Sequence, residues 1–102
     1  MLIREAWRRR EIFQNLPQHL QKLKEVVREL DSEARVFLFG SVAGGEHVIS
    51  SDIDILIISR LEPALLIAHL RRAGFEEPFE FHVAWAERAE LYLRSIGVMR
   101  EI

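Results

Sequence analysis

The stretch from Ile53 to Ile58 constrains this chain most: it is almost entirely apolar and β-branched, yet Asp54 interrupts it and Asp52 stands directly ahead of it. Such a run predicts a strand covered on both faces. Aspartate is disfavoured in strands, and an ionised carboxylate beside buried apolar residues is costly unless it is paired or bound to a cation. The sequence places no lysine or arginine close by to pair with either aspartate. Two residues apart on a strand, Asp52 and Asp54 project from the same face, where they can share divalent cations as hard oxygen ligands.

The remaining pattern builds helices and strands around this run. Residues 3 to 14, with Ile3, Trp7 and Phe13 among charges, predict a first helix. Pro17 suits the first turn of a second, on which Leu20, Leu23, Val27 and Leu30 form one apolar stripe. Arg35 to Phe39 reads as a strand cut off by Gly40, followed by a loop containing Gly44 and Gly45. A further helix starts at Pro63, with Leu65, Leu66, Ile67 and Leu70 inward and Gly74 as its stop. Phe79 to Trp85 alternates, with Phe79, Phe81 and Val83 on one face and Glu80 and His82 on the other. Ala86 to Ser95 reads as a closing helix. Strand, helix and strand over residues 53 to 85 predict a right-handed crossover, which makes the second and third strands parallel neighbours.

A length of 102 residues fits one domain, 1–102. With 49% hydrophobic and 29% charged residues the composition is that of a globular chain, and no stretch approaches the roughly 20 apolar residues that span a bilayer. The N-terminus shows no secretory pattern, and the lack of cysteine fits a cytoplasmic setting. A formal net charge of −2 argues against stand-alone nucleic-acid binding, which needs basic residues to displace counterions from phosphates. Small ligands or a protein partner fit better.

If the crossover sets Phe79 to Trp85 beside Ile53 to Ile58, Glu80 joins Asp52 and Asp54 as a third carboxylate, an arrangement suited to Mg²⁺ and a triphosphate. The Gly40-Ser41 turn exposes backbone N–H groups, and the Ser41 hydroxyl adds a donor for phosphate oxygens. Gly45 lets the loop return towards a ligand, and Ser51 can cap the turn or donate to phosphate.

Gly40-Ser41, three residues, Gly45, five residues, then Ser51-Asp52-Ile53-Asp54 resembles the signature of the DNA polymerase β-like nucleotidyltransferase superfamily, and most closely its minimal stand-alone members. The resemblance implies an α/β (α+β) nucleotidyltransferase fold, a small mixed sheet with helices packed on one side. It implies that Gly40 and Ser41 contact the triphosphate, that Asp52 and Asp54 bind two Mg²⁺ ions, and that Glu80 completes the set. ATP is the implied substrate and AMP the group transferred. The implied partner is a HEPN-domain toxin, modified on a tyrosine by this chain as antitoxin. Many relatives carry an arginine in the loop where this chain has Val42, Ala43 and Gly44. The alternative reading is a catalytically weak nucleotide-binding module that neutralises a partner by direct binding.

His82 can touch a nucleotide or orient a carboxylate, or serve as a hydrogen-bonded sheet histidine. His47 reads as a solvated loop residue, Arg8-Arg9-Arg10 as a solvated helix face, and Arg71 and Arg72 as cations at a helix C-terminus. Trp7, Phe13, Tyr92, Val98, Met99 and Ile102 are more apolar surface than a short chain can bury, which points to an interface with a partner or a second copy.

Overall fold

The computed structural model describes residues 3–46 and 51–102. In chain order the elements are α1 (Ile3–Gln14), α2 (Leu16–Leu30), β1 (Arg35–Phe39), α3 (Gly40–Ala43), β2 (Ile53–Ser59), α4 (Pro63–Arg72), β3 (Phe79–Trp85), a 3₁₀ turn (Ala86–Arg88), α5 (Ala89–Ser95) and β4 (Met99–Glu101). The four strands form one mixed sheet in the order β3-β2-β1-β4. β2 and β3 are parallel, as the crossover through α4 requires, whereas β1 runs antiparallel to both β2 and β4.

Alternation along the strands divides the core in two. Val36, Leu38, Ile53, Ile55, Ile57, Phe79 and Phe81 face α1, α2 and α4, meeting Ile12, Leu20, Leu23, Val27, Leu66 and Leu70. Phe37, Leu56, Ile58 and Ala84 face the other way, against Ala86, Ala89, Leu93 and Ile96. Helices therefore dominate one side, and the short α5 covers part of the second. Each large aliphatic chain buried in this way contributes about 1.5–3 kcal/mol.

Local signals set the ends of α4. Pro63 occupies its first turn, the Glu62 side chain accepts a hydrogen bond from the Leu65 amide at 3.0 Å, and Gly74, with φ +101°, carries the chain out of the helix. The inward stripe is narrower than the sequence suggests. Leu66 and Leu70 are buried one turn apart, whereas Leu65 is 71% exposed, because adjacent helical residues point about 100° apart.

Three further expectations change. The segment after Phe39 forms one helical turn, α3, before any loop; Val42 buries its side chain in the larger core cluster and holds that turn down. The closing helix breaks into the 3₁₀ turn and α5. Met99, expected at an interface, lies in β4 paired with Phe39 and is half-buried. Among the described residues no helix is long and apolar enough to cross a membrane.

Candidate functional site

β1 ends at Phe39, and Gly40 then turns the chain with φ +78°, a left-handed conformation that glycine adopts without steric cost. A second constraint falls on the same residue. A Cβ at position 40 would overlap the Asp54 carboxylate, which would have to shift to admit it.

Sheet register explains that approach. Asp54 pairs with Phe39 on one side and with Glu80 on the other. Asp54, Glu80 and His82 emerge on the face that carries Phe37, Leu56 and Ala84 further along the strands, where α5 packs. The acidic end is more open: the Asp54 side chain is 28% exposed and that of His82 47%. His82 Nε2 lies 3.7 Å from Asp54 Oδ1, and the His82 ring meets Phe39 edge-on at 5.1 Å between centroids.

Burial pushes the Asp54 carboxyl above its ordinary value, His82 pulls it back, and the charges of Asp52 and Glu80 push it up further. Asp52 is exposed just ahead of β2. Thus the three predicted acids share one edge electrostatically. They do not close into a coordination cluster: among the described residues no three His, Asp or Glu side chains are placed to hold a metal ion together. Asp54 leans towards Gly40 and His82, and mutual repulsion gives the acids no reason to converge.

Beside this edge lies a cleft of about 650 Å³ lined by residues that include Phe39, Gly40, Ser41, Gly44, Ile96 and Val98. Small-molecule sites commonly measure about 300–1,000 Å³. Gly40 belongs to both features, touching Asp54 on one side and lining the cleft on the other. Ser41 is exposed at the start of α3. Gly45 has φ +74° with no atom near the position of a Cβ, so its conformation rather than a close contact calls for glycine. Ser51 is half-buried, and its carbonyl accepts a hydrogen bond from Arg9 at 3.2 Å. His47 lies outside the described residues.

Two arginines differ from their expected surface roles. Arg9 is 6% exposed and ion-paired with Glu77, although the sequence places it in a run that looks solvated. Its position three residues before the buried Ile12, on the same face of α1, was the available signal. Arg71 donates to the carbonyls of Phe75 and Phe79 at 3.0 and 2.8 Å and stacks over Phe81, tying α4 to β3.

Residues 20–97 match a protein family described as "Nucleotidyltransferase domain". Two crystal structures share the architecture. One, described as a "putative nucleotidyltransferase", is 28% identical with a TM-score of 0.66, the match covering 82% of this chain and 97% of that one. The other carries the same description, comes from Sulfolobus solfataricus, and is 21% identical with a TM-score of 0.56, covering 87% of this chain and 83% of its own. No curated protein matched the chain.

Proposed function

This chain belongs to the nucleotidyltransferase domain family, and we propose that, as a single domain over residues 1–102, it transfers AMP from ATP to an acceptor hydroxyl. The observation that carries this reading is the placement of Asp52 and Asp54 at the entry of β2, with Gly40 of the Gly40-Ser41 turn packed against Asp54. In the reaction the acceptor hydroxyl gives up its proton to solvent as its oxygen bonds to the α-phosphorus, the bond to the bridging oxygen breaks, and pyrophosphate departs with that electron pair. Backbone N–H groups at the start of α3 and the Ser41 hydroxyl bind the β- and γ-phosphates. Ser51 lies at the mouth of β2 as a further phosphate donor, and the positive φ of Gly45 returns the chain after α3. His82, beside Asp54, orients that carboxylate.

The donor set suits Mg²⁺, because Asp52, Asp54 and Glu80 offer only hard oxygens and crowd negative charge at one edge. When bound there, two Mg²⁺ ions would supply charge neutralisation on the triphosphate and activation of the acceptor oxygen.

The acceptor belongs to a separate molecule in this reading. Similarity of the Gly40-to-Asp54 motif to minimal nucleotidyltransferases supports a tyrosine of a HEPN-domain toxin as that acceptor, with this chain as antitoxin in the cytoplasm. Exposed Trp85, Tyr92 and Val98 supply apolar surface for the partner or for a second copy. The test is incorporation of labelled AMP into such a partner under Mg²⁺, with Asp52→Asn/Asp54→Asn as control. Incorporation lost in the control supports transfer; nucleotide binding without incorporation sinks it.

One observation favours the alternative. Val42 is buried, and Ala43 and Gly44 carry no charge, so the turn brings no cation of its own to a triphosphate. A nucleotide-binding module that neutralises its partner by contact would do so equally well as wild type and as Asp52→Asn/Asp54→Asn.

A further inference from the structure

Helix α1 lies ahead of the family match, which begins at Leu20, yet its buried Arg9 reaches the segments that lead into β2 and β3. Arg9 Nη1 donates to the Ser51 carbonyl at 3.2 Å, one residue before Asp52. Its Nη2 pairs with the Glu77 carboxylate, three residues before Glu80. Arg8 adds a hydrogen bond to the Glu77 carbonyl. The two segments are also joined directly, the Ile53 amide donating to the Pro78 carbonyl at 2.8 Å. One side chain thus grips the chain just upstream of both strands that carry the acids.

A buried arginine is a poor device for stability alone, since desolvating the charge offsets most of what the ion pair returns and an apolar residue of similar volume often serves as well. Its distinctive property is a rigid planar fork whose N–H groups can hold two acceptors in fixed relation. Here the two acceptors lie on different strand entries.

We propose that Arg9 is a positioning residue: by holding Ser51 and Glu77 together it fixes the entries of β2 and β3, so that Asp52, Asp54 and Glu80 present one metal-binding edge. This role rests on the metal-dependent reading of the site. It gives α1 a part in the chemistry of the acidic edge.

The experiment measures Mn²⁺ affinity by electron paramagnetic resonance for wild type, Arg9→Lys, Arg9→Met and Glu77→Gln, with melting temperature as the check on folding. Arg10→Ala, altered on the outer side of the same helix, is the control. Folded Arg9→Lys and Arg9→Met should bind Mn²⁺ about tenfold to 100-fold more weakly, the range seen when groups supporting metal ligands are removed, while Arg10→Ala stays at the wild-type value. Unchanged affinity in either folded Arg9 variant overturns the proposal. If wild type itself binds no Mn²⁺, the metal-dependent reading falls, and hydrogen exchange at the Asp52 and Ile53 amides decides the positioning claim. Exchange faster there than elsewhere in β2 supports a clamp by Arg9; exchange unchanged from wild type removes it.

Discussion

Asp54 fills the space that a side chain at residue 40 would need. Asp54 lies on β2 opposite Phe39, the last residue of antiparallel β1, and the β1-to-α3 turn passes directly beneath the carboxylate. The Gly40-Ser41 turn and the acidic edge are therefore one unit, and each limits what the other can become.

Replacing Gly40 with alanine should destabilise the fold by about 1–3 kcal/mol, the usual cost of forcing a side chain into a sparsely populated backbone conformation. Part of that cost is collision with Asp54, so Gly40→Ala combined with Asp54→Ala should lose less stability than the two single variants added together. Urea denaturation of the four proteins measures the difference. Strict additivity would mean that strain at φ +78° accounts for the whole effect.

Asp54 has a carboxyl raised above its ordinary value of 3.8, first by burial. The native state then holds this proton more tightly than the unfolded chain, so stability falls as pH rises from about 3.8 through the raised native value. In the absence of divalent cations Asp54→Asn should be more stable than wild type at pH 7, with the gap closing as pH falls through that window. Thermal melts across the range test it; a gap independent of pH would dismiss ionisation as the cause.

Asp31 behaves in the opposite sense. Its carboxylate accepts from the Ser59 hydroxyl at 2.7 Å and from the Glu33 and Arg60 amides, and the Ser59 bond leads the effects that lower its pKa below 3.8. The stabilisation it provides is complete above the unfolded value and is lost as pH falls through the depressed native one. Asp31→Asn should cost about 1 kcal/mol at neutral pH, a modest figure because solvent screens this half-exposed site, and almost nothing in strong acid. Denaturant titrations at pH 7 and pH 2 provide the comparison.

On α4, Leu70→Ala should cost about 2–5 kcal/mol because its side chain is fully enclosed. Leu65→Ala, five residues earlier on the same helix, should change stability by less than about 0.5 kcal/mol. Equal losses would mean that Leu65 is covered in solution, for example by a partner.

Part of the acidic edge was legible in the sequence: period-two alternation by itself sets Glu80 with His82 on one face of β3, and Asp54 on the matching face of β2, while Asp52 falls just ahead of that strand. The parallel pairing of β2 and β3 followed from chain handedness. Other features left little local trace. β4 is three residues long, too short for alternation to reveal it. Arg9 looks like its neighbours Arg8 and Arg10 in composition; its spacing from Ile12 marks the inner face of α1, but its partners Ser51 and Glu77 arrive from far along the chain. The cleft unites the end of β1 with Ile96 and Val98, a meeting that depends on how α5 returns to the sheet.

Phe79 and Phe81 enter the core in alternation with Glu80 and His82, and this gives the greasy side of β3 a duty beyond packing. A slip of one residue against β2 would turn both acid and imidazole into the interior and bring two phenyl rings to the open edge. Phenylalanine volume thus works alongside the polar contacts at the strand entries to set which charges face outward. A core substitution distant from every ligand could erase the site by letting the strand choose the wrong notch.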